Sequence, residues 1–152
     1  MECNMQSGQT EQKKIVDEIL LISTEHNWGY TVQTTPSGAV IINYTNSHLK
    51  NLPKLNLSIY LANDCWITVI GRQIRKFEKA DLPKVYKLVY ELNAKSAFAK
   101  FSVMETEDSM YLQATYDVFP AIVNKTGVSL QMVEEITRVV DKFYPEIESV
   151  LG

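Results

Sequence analysis

The sequence predicts one α+β domain, a largely antiparallel sheet of about five strands with three helices packed mainly on one face. The chain has 152 residues, a length typical of one domain, and its 45% hydrophobic and 22% charged residues are ordinary globular values. Its apolar residues switch between helical spacing and alternation, which gives the order α-β-β-β(-β)-α-β-β-α. Runs of strands separated by single helices favour antiparallel pairing with helices on one side. We expect a flexible tail over residues 1–9 and the domain over residues 10–152.

The first helix is predicted from Thr10 to about Asn27. Its apolar residues share one broad face, and charged residues between them face water. Gly29 is well placed to stop the helix in a left-handed conformation. The apolar face consists of Ile15, Val16, Ile19, Leu20 and Ile22.

The next stretch reads as consecutive strands. "YTVQT" and "AVIINY" flank the turn signature "TPSG", which predicts a hairpin over residues 30–34 and 39–44. "LNLSIYLA" alternates cleanly and predicts another strand, which the "ND" of the next turn ends. "CWITVIGR" (residues 65–72) is apolar on both sides, so we expect a central strand. Residues 72–80 read as a charged connector.

In the second half of the sequence, the spacing of the apolar residues again changes from helical to alternating. Asp81 is predicted to cap a helix from Leu82 to about Ala94, and Asn93 suits a helix C-terminus or hydrogen bonds to loop backbone. "AFAKFSVMET" and "MYLQATYDV" then form a second hairpin across an acidic turn. Ser129 is the expected cap of the last helix, whose apolar stripe is Met132, Val133, Ile136, Val140, Phe143 and Tyr144.

No motif for catalysis, metal binding or phosphate binding is found in the sequence. The two histidines, His26 and His48, have no ligands at metal-site spacing, so surface or capping roles are favoured for both. The acidic group Glu105–Asp108 lacks the alternating oxygen ligands and glycine of a calcium loop. The glycines form neither GxGxxG nor GxxxxGK[ST]. We therefore predict no catalytic residue, no metal and no cofactor.

Charge and composition exclude further classes of protein. The net charge of −3 and the lack of any basic run longer than two residues argue against nucleic-acid binding. The first residues are polar where a signal peptide would be apolar, and the run Ile19–Ile22 is too short to span a membrane. Cys3 and Cys65 give no disulfide framework. These features predict a cytoplasmic protein with no membrane partner.

Aromatic residues are the main surplus, with eight tyrosines and two tryptophans. If Leu57 and Met110 face the helices, alternation places Tyr60, Phe98 and Tyr111 on the opposite face of the sheet. Aromatic sheet surfaces commonly bind a partner chain or form a dimer, so we predict these three residues and Trp66 as partner-binding. The alternative left open is that they pack within the monomer.

Two segments, "KLVYELNAKSAFAKFSVMETEDSMYLQATYDVF" and "MVEEITRVVDKFYPEIESVL", resemble the YbjN-like family, which shares its fold with type III secretion chaperones. The matching features are a helix ending in Leu92-Asn93, a hairpin with an acidic tip, and the motif D-x-x-x-P-x-(I/L) formed by Asp141, Pro145 and Ile147. The element order agrees over residues 10–151. The resemblance implies a chaperone-like α+β fold, usually homodimeric, with a binding or regulatory role and no catalysis. No family site residue carries over.

We therefore expect a non-enzymatic, chaperone-like or regulatory protein-binding module that forms a homodimer and binds a protein client. Two alternatives remain open at this stage. One is a small-molecule-binding or enzymatic domain that uses His26 or His48 with a carboxylate in a helix–sheet cleft. The other is a dedicated immunity- or antitoxin-like partner of one protein.

Overall fold

A computed structural model of the chain describes residues 5–152, with side chains from Thr10 onward. The described chain forms three α-helices and six strands, so the predicted α+β class and element order are confirmed, with six strands rather than about five. The elements are α1 (Met5–Glu25), β1 (Tyr30–Thr34), β2 (Val40–Asn46), β3 (Leu55–Leu61), β4 (Ile67–Phe77), α2 (Leu82–Lys95), β5 (Lys100–Glu105), β6 (Met110–Val118) and α3 (Lys125–Leu151).

The six strands form one sheet in the order β1-β2-β3-β4-β6-β5. Every neighbouring pair is antiparallel, as predicted. β4 lies between β3 and β6, which confirms the central position expected from its apolar residues. β1 and β5 are the two edge strands.

The helices pack on one face of the sheet. α3 crosses the centre, where Gly71 of β4 pairs with Ala114 of β6 and leaves room for Ile136 of α3. A Cβ added to Gly71 would lie only 3.0 Å from Cγ2 of Ile136. α1 packs over β2, where the Oγ of Ser23 is 2.8 Å from the Oη of Tyr44. Between sheet and helices lie fully buried side chains that include Ile19, Ile42, Ile59, Leu61, Ile67, Leu88, Leu92, Phe101, Leu112, Ile136 and Ile147.

The first helix has different ends from those predicted. α1 starts at Met5, within the predicted tail of residues 1–9, of which residues 1–4 lie outside the described part of the chain. It ends at Glu25, before the expected Asn27. Asn27 rather than Gly29 adopts the left-handed conformation, with φ of 57°. Asparagine tolerates that conformation better than most residues, which explains the earlier stop.

The predicted charged connector over residues 72–80 is wrong in its first part. β4 continues to Phe77 through an irregularity of register between Gly71 and Arg75, where Gln73 has a φ of 48°. Ile74 and Phe77 are buried among the charged positions. The charged residues therefore belong to a strand whose apolar members still face the core.

The predicted helix caps need two corrections. α3 begins four residues before Ser129, because the Oδ1 of Asn124 accepts a hydrogen bond from the Gly127 amide at 2.9 Å. Ser129 is buried inside the helix, where its Oγ donates to the Lys125 carbonyl at 2.6 Å. α2 begins at Leu82 as expected, yet Asp81 makes no side-chain cap hydrogen bond.

Candidate functional site

The face of the sheet opposite the helices, here called the open face, carries both of the predicted partner-binding tyrosines. Tyr60 of β3 lies between Ile41 of β2 and Thr68 of β4. Tyr111 lies on β6, beside Met104 of β5. Both tyrosines are half-buried, so neither belongs to the core.

Tyr60 and Tyr111 are at opposite ends of the open face. Thr68 of β4 pairs with Tyr60 on one side and with Asp117 of β6 on the other, so Tyr60 and Asp117 lie at the same level of the sheet. Tyr111 lies six residues before Asp117 on β6. At about 3.4 Å per residue, this places the two tyrosines roughly 20 Å apart along the strand direction. They cannot form one compact contact patch.

An exposed aromatic pair lies at the Tyr60 end of the open face. Trp66 directly precedes β4 and Phe119 directly follows β6, and their rings meet edge to face with centroids 5.1 Å apart. Their exposed fractions are 37% and 56%. Both residues continue the open-face alternation of their strands. We call Ile41, Tyr60, Trp66 and Phe119 the aromatic corner.

The turn between β3 and β4 positions Trp66. Cys65 is buried with a φ of 69°, and its amide donates to the Ala62 carbonyl at 3.1 Å. The Trp66 carbonyl accepts a hydrogen bond from the Ala62 amide at 2.9 Å, and the Trp66 amide donates to Asp64 Oδ1 at 3.2 Å. The backbone of Trp66 is therefore fixed on both sides while its ring stays accessible.

Phe98 does not share the open face. β5 begins only at Lys100, and the bend before it is held by Ser96, whose Oγ donates to the Ala99 carbonyl at 2.5 Å. The Phe98 ring is exposed and meets Tyr116, at 6.4 Å between centroids. Tyr116 pairs with Val69, which is buried on the helix side. Strand alternation therefore does not extend back to Phe98.

The remainder of the open face is largely polar. Neighbouring strands are joined there by side-chain hydrogen bonds that satisfy polar groups within the sheet. Side-chain polar groups bonded in this way are compatible with contact with water, whereas the aromatic corner presents several large apolar side chains near one another. The bonded pairs are Ser58 with Asn43 (2.7 Å), Thr45 with Asn56 (3.2 Å), Thr68 with Asp117 (2.7 Å) and Gln113 with Ser102 (3.1 Å).

A cleft of about 560 Å³ lies on the helix-covered side of the sheet, between the end of α1, the end of β2 and the middle of α3. Tyr44, Leu57 and Val133 contribute its apolar wall, and His48 and Glu134 also line it. This volume is within the range of ligand pockets, about 300–1,000 Å³.

Of the two histidines, His48 lines this cleft and His26 does not. His26 instead packs against Trp28, with ring centroids 5.2 Å apart, and its Nδ1 is 2.9 Å from the Ile22 carbonyl oxygen. Arg138, another lining residue, donates from Nη2 and Nε to the two carboxylate oxygens of Glu135, at 2.5 Å and 3.1 Å. The hydrogen bond from Arg138 lowers the pKa of Glu135.

The loop that follows β2 is held in place by Asp141 of α3. Its Oδ1 accepts the amides of Asn51 and Leu52 at 2.7 Å and 3.0 Å, and its Oδ2 accepts that of Lys50 at 3.1 Å. Burial acts to raise the pKa of Asp141, but these amides outweigh it and place the pKa below its ordinary value. Asp141 thus anchors the loop that carries His48.

No group of three or more His, Cys, Asp or Glu side chains within the described range is placed to hold a metal ion. None of the described helices combines the length and hydrophobicity needed to cross a bilayer.

No known family model, curated protein or solved structure matches this chain. The resemblance to the YbjN-like family therefore stays a prediction.

Ile41 and Phe119 are the residues of the aromatic corner that sequence reasoning missed. The alternation of Thr115 and Asp117 on β6 extends to Phe119, so the sequence pattern was sufficient to place Phe119 on the open face. Ile41 required the register of β2 against β3, which the sequence of neither strand specifies alone.

Proposed function

We propose that this protein is a non-enzymatic, chaperone-like or regulatory protein-binding module that acts as a homodimer. Its client would bind at the aromatic corner. The observation that carries this proposal is the exposed Trp66–Phe119 pair beside Tyr60, on a sheet face without helices. Tryptophan and tyrosine are enriched among residues that contribute most to protein binding.

The chemistry of the corner also indicates the kind of client segment. Asp64 and Asp117 lie two residues before Trp66 and Phe119, and both carboxylates are exposed. An apolar side chain on the client would fill the space against the rings, and a flanking lysine or arginine would face these carboxylates. Complementary charge of this kind mainly steers association and orients the partner.

Alanine substitution of Tyr60 and Trp66 together tests this assignment. We expect recovery of the client with the tagged protein from its own cells to fall about tenfold, as for the loss of a binding hot spot. Tyr86→Ala with Tyr90→Ala is the matched control, because these two aromatic residues of α2 are 58% and 78% exposed and lie outside the corner.

Quantitative mass spectrometry of the recovered proteins distinguishes the outcomes. One stoichiometric partner would favour the immunity- or antitoxin-like role, and several would favour a chaperone. Equal recovery with the corner variant and the control variant would contradict binding at the corner.

The cleft supports a second candidate function, small-molecule binding, because it joins an apolar wall to His48 and Glu134. A screen of small metabolites by thermal shift tests it. A compound of this site should raise the melting temperature of the wild type and His26→Ala, and should lose that effect in His48→Ala. A compound whose shift survives in His48→Ala would not use this site as described.

A further inference from the structure

The two edge strands differ in whether their outward N–H and C=O groups already have hydrogen-bond partners. At the β5 edge, the Asn93 side chain satisfies Phe101. Its Oδ1 accepts the Phe101 amide at 2.7 Å, and its Nδ2 donates to the Phe101 carbonyl at 3.0 Å. These groups would otherwise point away from β6 and be free to pair with another strand. The ends of β5 are also charged, at Lys100 and Glu105.

The backbone groups of the β1 edge point away from the sheet in a defined pattern. The Thr35 amide donates to the Ala39 carbonyl at 2.9 Å, and this pair continues the β1–β2 register. Bonded pairs alternate along an antiparallel ladder, so Thr31 and Gln33 bond to β2. The N–H and C=O groups of Tyr30, Val32 and Thr34 therefore point outward, where the described part of the chain provides no strand.

These three outward residues are arranged symmetrically about Val32. Two copies of β1 placed antiparallel around a two-fold axis would put Val32 opposite its own copy, and Tyr30 opposite Thr34 of the second copy. Every outward group would then lie in a hydrogen-bonded pair, and each pair exchanges two bonds. A symmetric interface of this kind is the commonest form of homodimer.

The side chains of β1 are compatible with pairing to themselves. The strand "YTVQT" has no charge, proline or glycine, the usual features that protect an edge. Val32 is 44% exposed and Tyr30 37%. The Oη of Tyr30 is 3.4 Å from Oγ1 of Thr24, and Leu21, one turn earlier on α1, is 60% exposed. Self-pairing would extend the apolar row Ile59–Ile42–Val32 into the second copy.

We infer that two copies of this chain associate through antiparallel pairing of their β1 strands, which would form one continuous sheet of twice six strands. This inference rests on the homodimer part of the proposed function and names its interface. Edge pairing covers neither face of the sheet, so the aromatic corner of each copy stays accessible to a client.

Val32→Pro tests this interface without breaking the β1–β2 ladder, because the amide it removes points outward. Analytical ultracentrifugation at about 100 μM, where association is favoured by mass action, should give the wild type twice the 17.3 kDa chain mass. Val32→Pro should sediment at the monomer mass. Val103→Pro is the matched control, since Val103 is two residues from Phe101 and its amide points outward from the β5 edge. This control should stay dimeric.

The possible failures are distinguishable. A monomeric wild type would overturn both this inference and the proposed homodimer, and would leave client binding at the corner to its own test. A dimeric, folded Val32→Pro would overturn the β1 interface alone. If the proline variant does not fold by circular dichroism, Val32→Lys provides the same test, because its lysines would face each other across the axis.

A cysteine pair gives a second measurement. In a Cys3→Ser background, Val32→Cys should form an intermolecular disulfide on mild oxidation, because paired Cα atoms about 5.5 Å apart suit a disulfide. Val103→Cys should not. Equal crosslinking of both variants would overturn the inference.

Discussion

Substitution of Gly71 with valine is expected to lower the free energy of unfolding by about 3 kcal/mol, near the upper end of the usual cost of overpacking. The reason is geometric: even the first carbon of a new side chain would lie 3.0 Å from Cγ2 of Ile136. Both residues are in the centre of the molecule, where α3 crosses β4, so neither backbone can move away easily. Urea unfolding followed by circular dichroism measures the change.

A double-mutant cycle separates this contact from a general effect of valine at a glycine position. Ile136→Ala alone should cost about 2–5 kcal/mol, because it leaves a cavity under α3. Combined with Gly71→Val it should cost at least about 1 kcal/mol less than the sum of the single changes. Gly29→Val is the control, because no atom outside the adjacent residues lies within 4 Å of its added Cβ. Simple additivity would show that Ile136 is not what limits the size of residue 71.

Asp141→Asn is expected to destabilise the protein by about 2 kcal/mol at pH 7, within the range for hydrogen bonds to a charged group. The carboxylate accepts three backbone amides of the loop after β2. An asparagine amide would keep one accepting oxygen and turn a donor toward the remaining amide. Hydrogen exchange should accelerate most at Lys50, if the new NH2 group replaces the oxygen that accepts its amide. It should accelerate less at Asn51 and Leu52, whose amides would then bond to a neutral amide oxygen instead of a carboxylate.

The pH dependence of this effect has a defined sign. The folded-state pKa of Asp141 is lowered, so its contribution to stability is fully present above the unfolded value of about 3.9 and is lost as the pH falls through the folded value. The stability gap between wild type and Asp141→Asn should therefore shrink in that acidic range. Asp108→Asn, in the exposed turn between β5 and β6, is the control and should show little gap at pH 7. A gap independent of pH would mean that the charge of Asp141 is not its source.

The order of elements was predictable because helical and alternating spacing are local properties of the sequence. The predicted element boundaries were wrong where a tertiary contact decides where a strand or helix begins or ends. The charged residues after Gly71 indicate a loop, but buried Ile74 and Phe77 hold that segment in β4. Asn124 rather than Ser129 begins α3, since both are good caps and only the packing of the helix selects one.

The candidate site was only partly predictable for the same reason. Alternation placed Tyr60 and Tyr111 on the face without helices, yet it gave no distance between them and assigned Phe98 to that face as well. The pairing of Trp66 with Phe119 depends on the neighbouring positions of β4 and β6, which the chain order does not reveal. The bond from Asn93 to the β5 edge likewise depends on how α2 packs against that strand.

Site-specific photocrosslinking in the cells that make this protein tests the central claim, client binding at the aromatic corner, most directly. A photoreactive phenylalanine derivative replaces Tyr60 in one variant and Tyr90, on α2, in the other. We predict that illumination joins the Tyr60 variant to a different protein, and that the Tyr90 variant gives no such product. Adducts from Tyr90 but none from Tyr60 would contradict the claim.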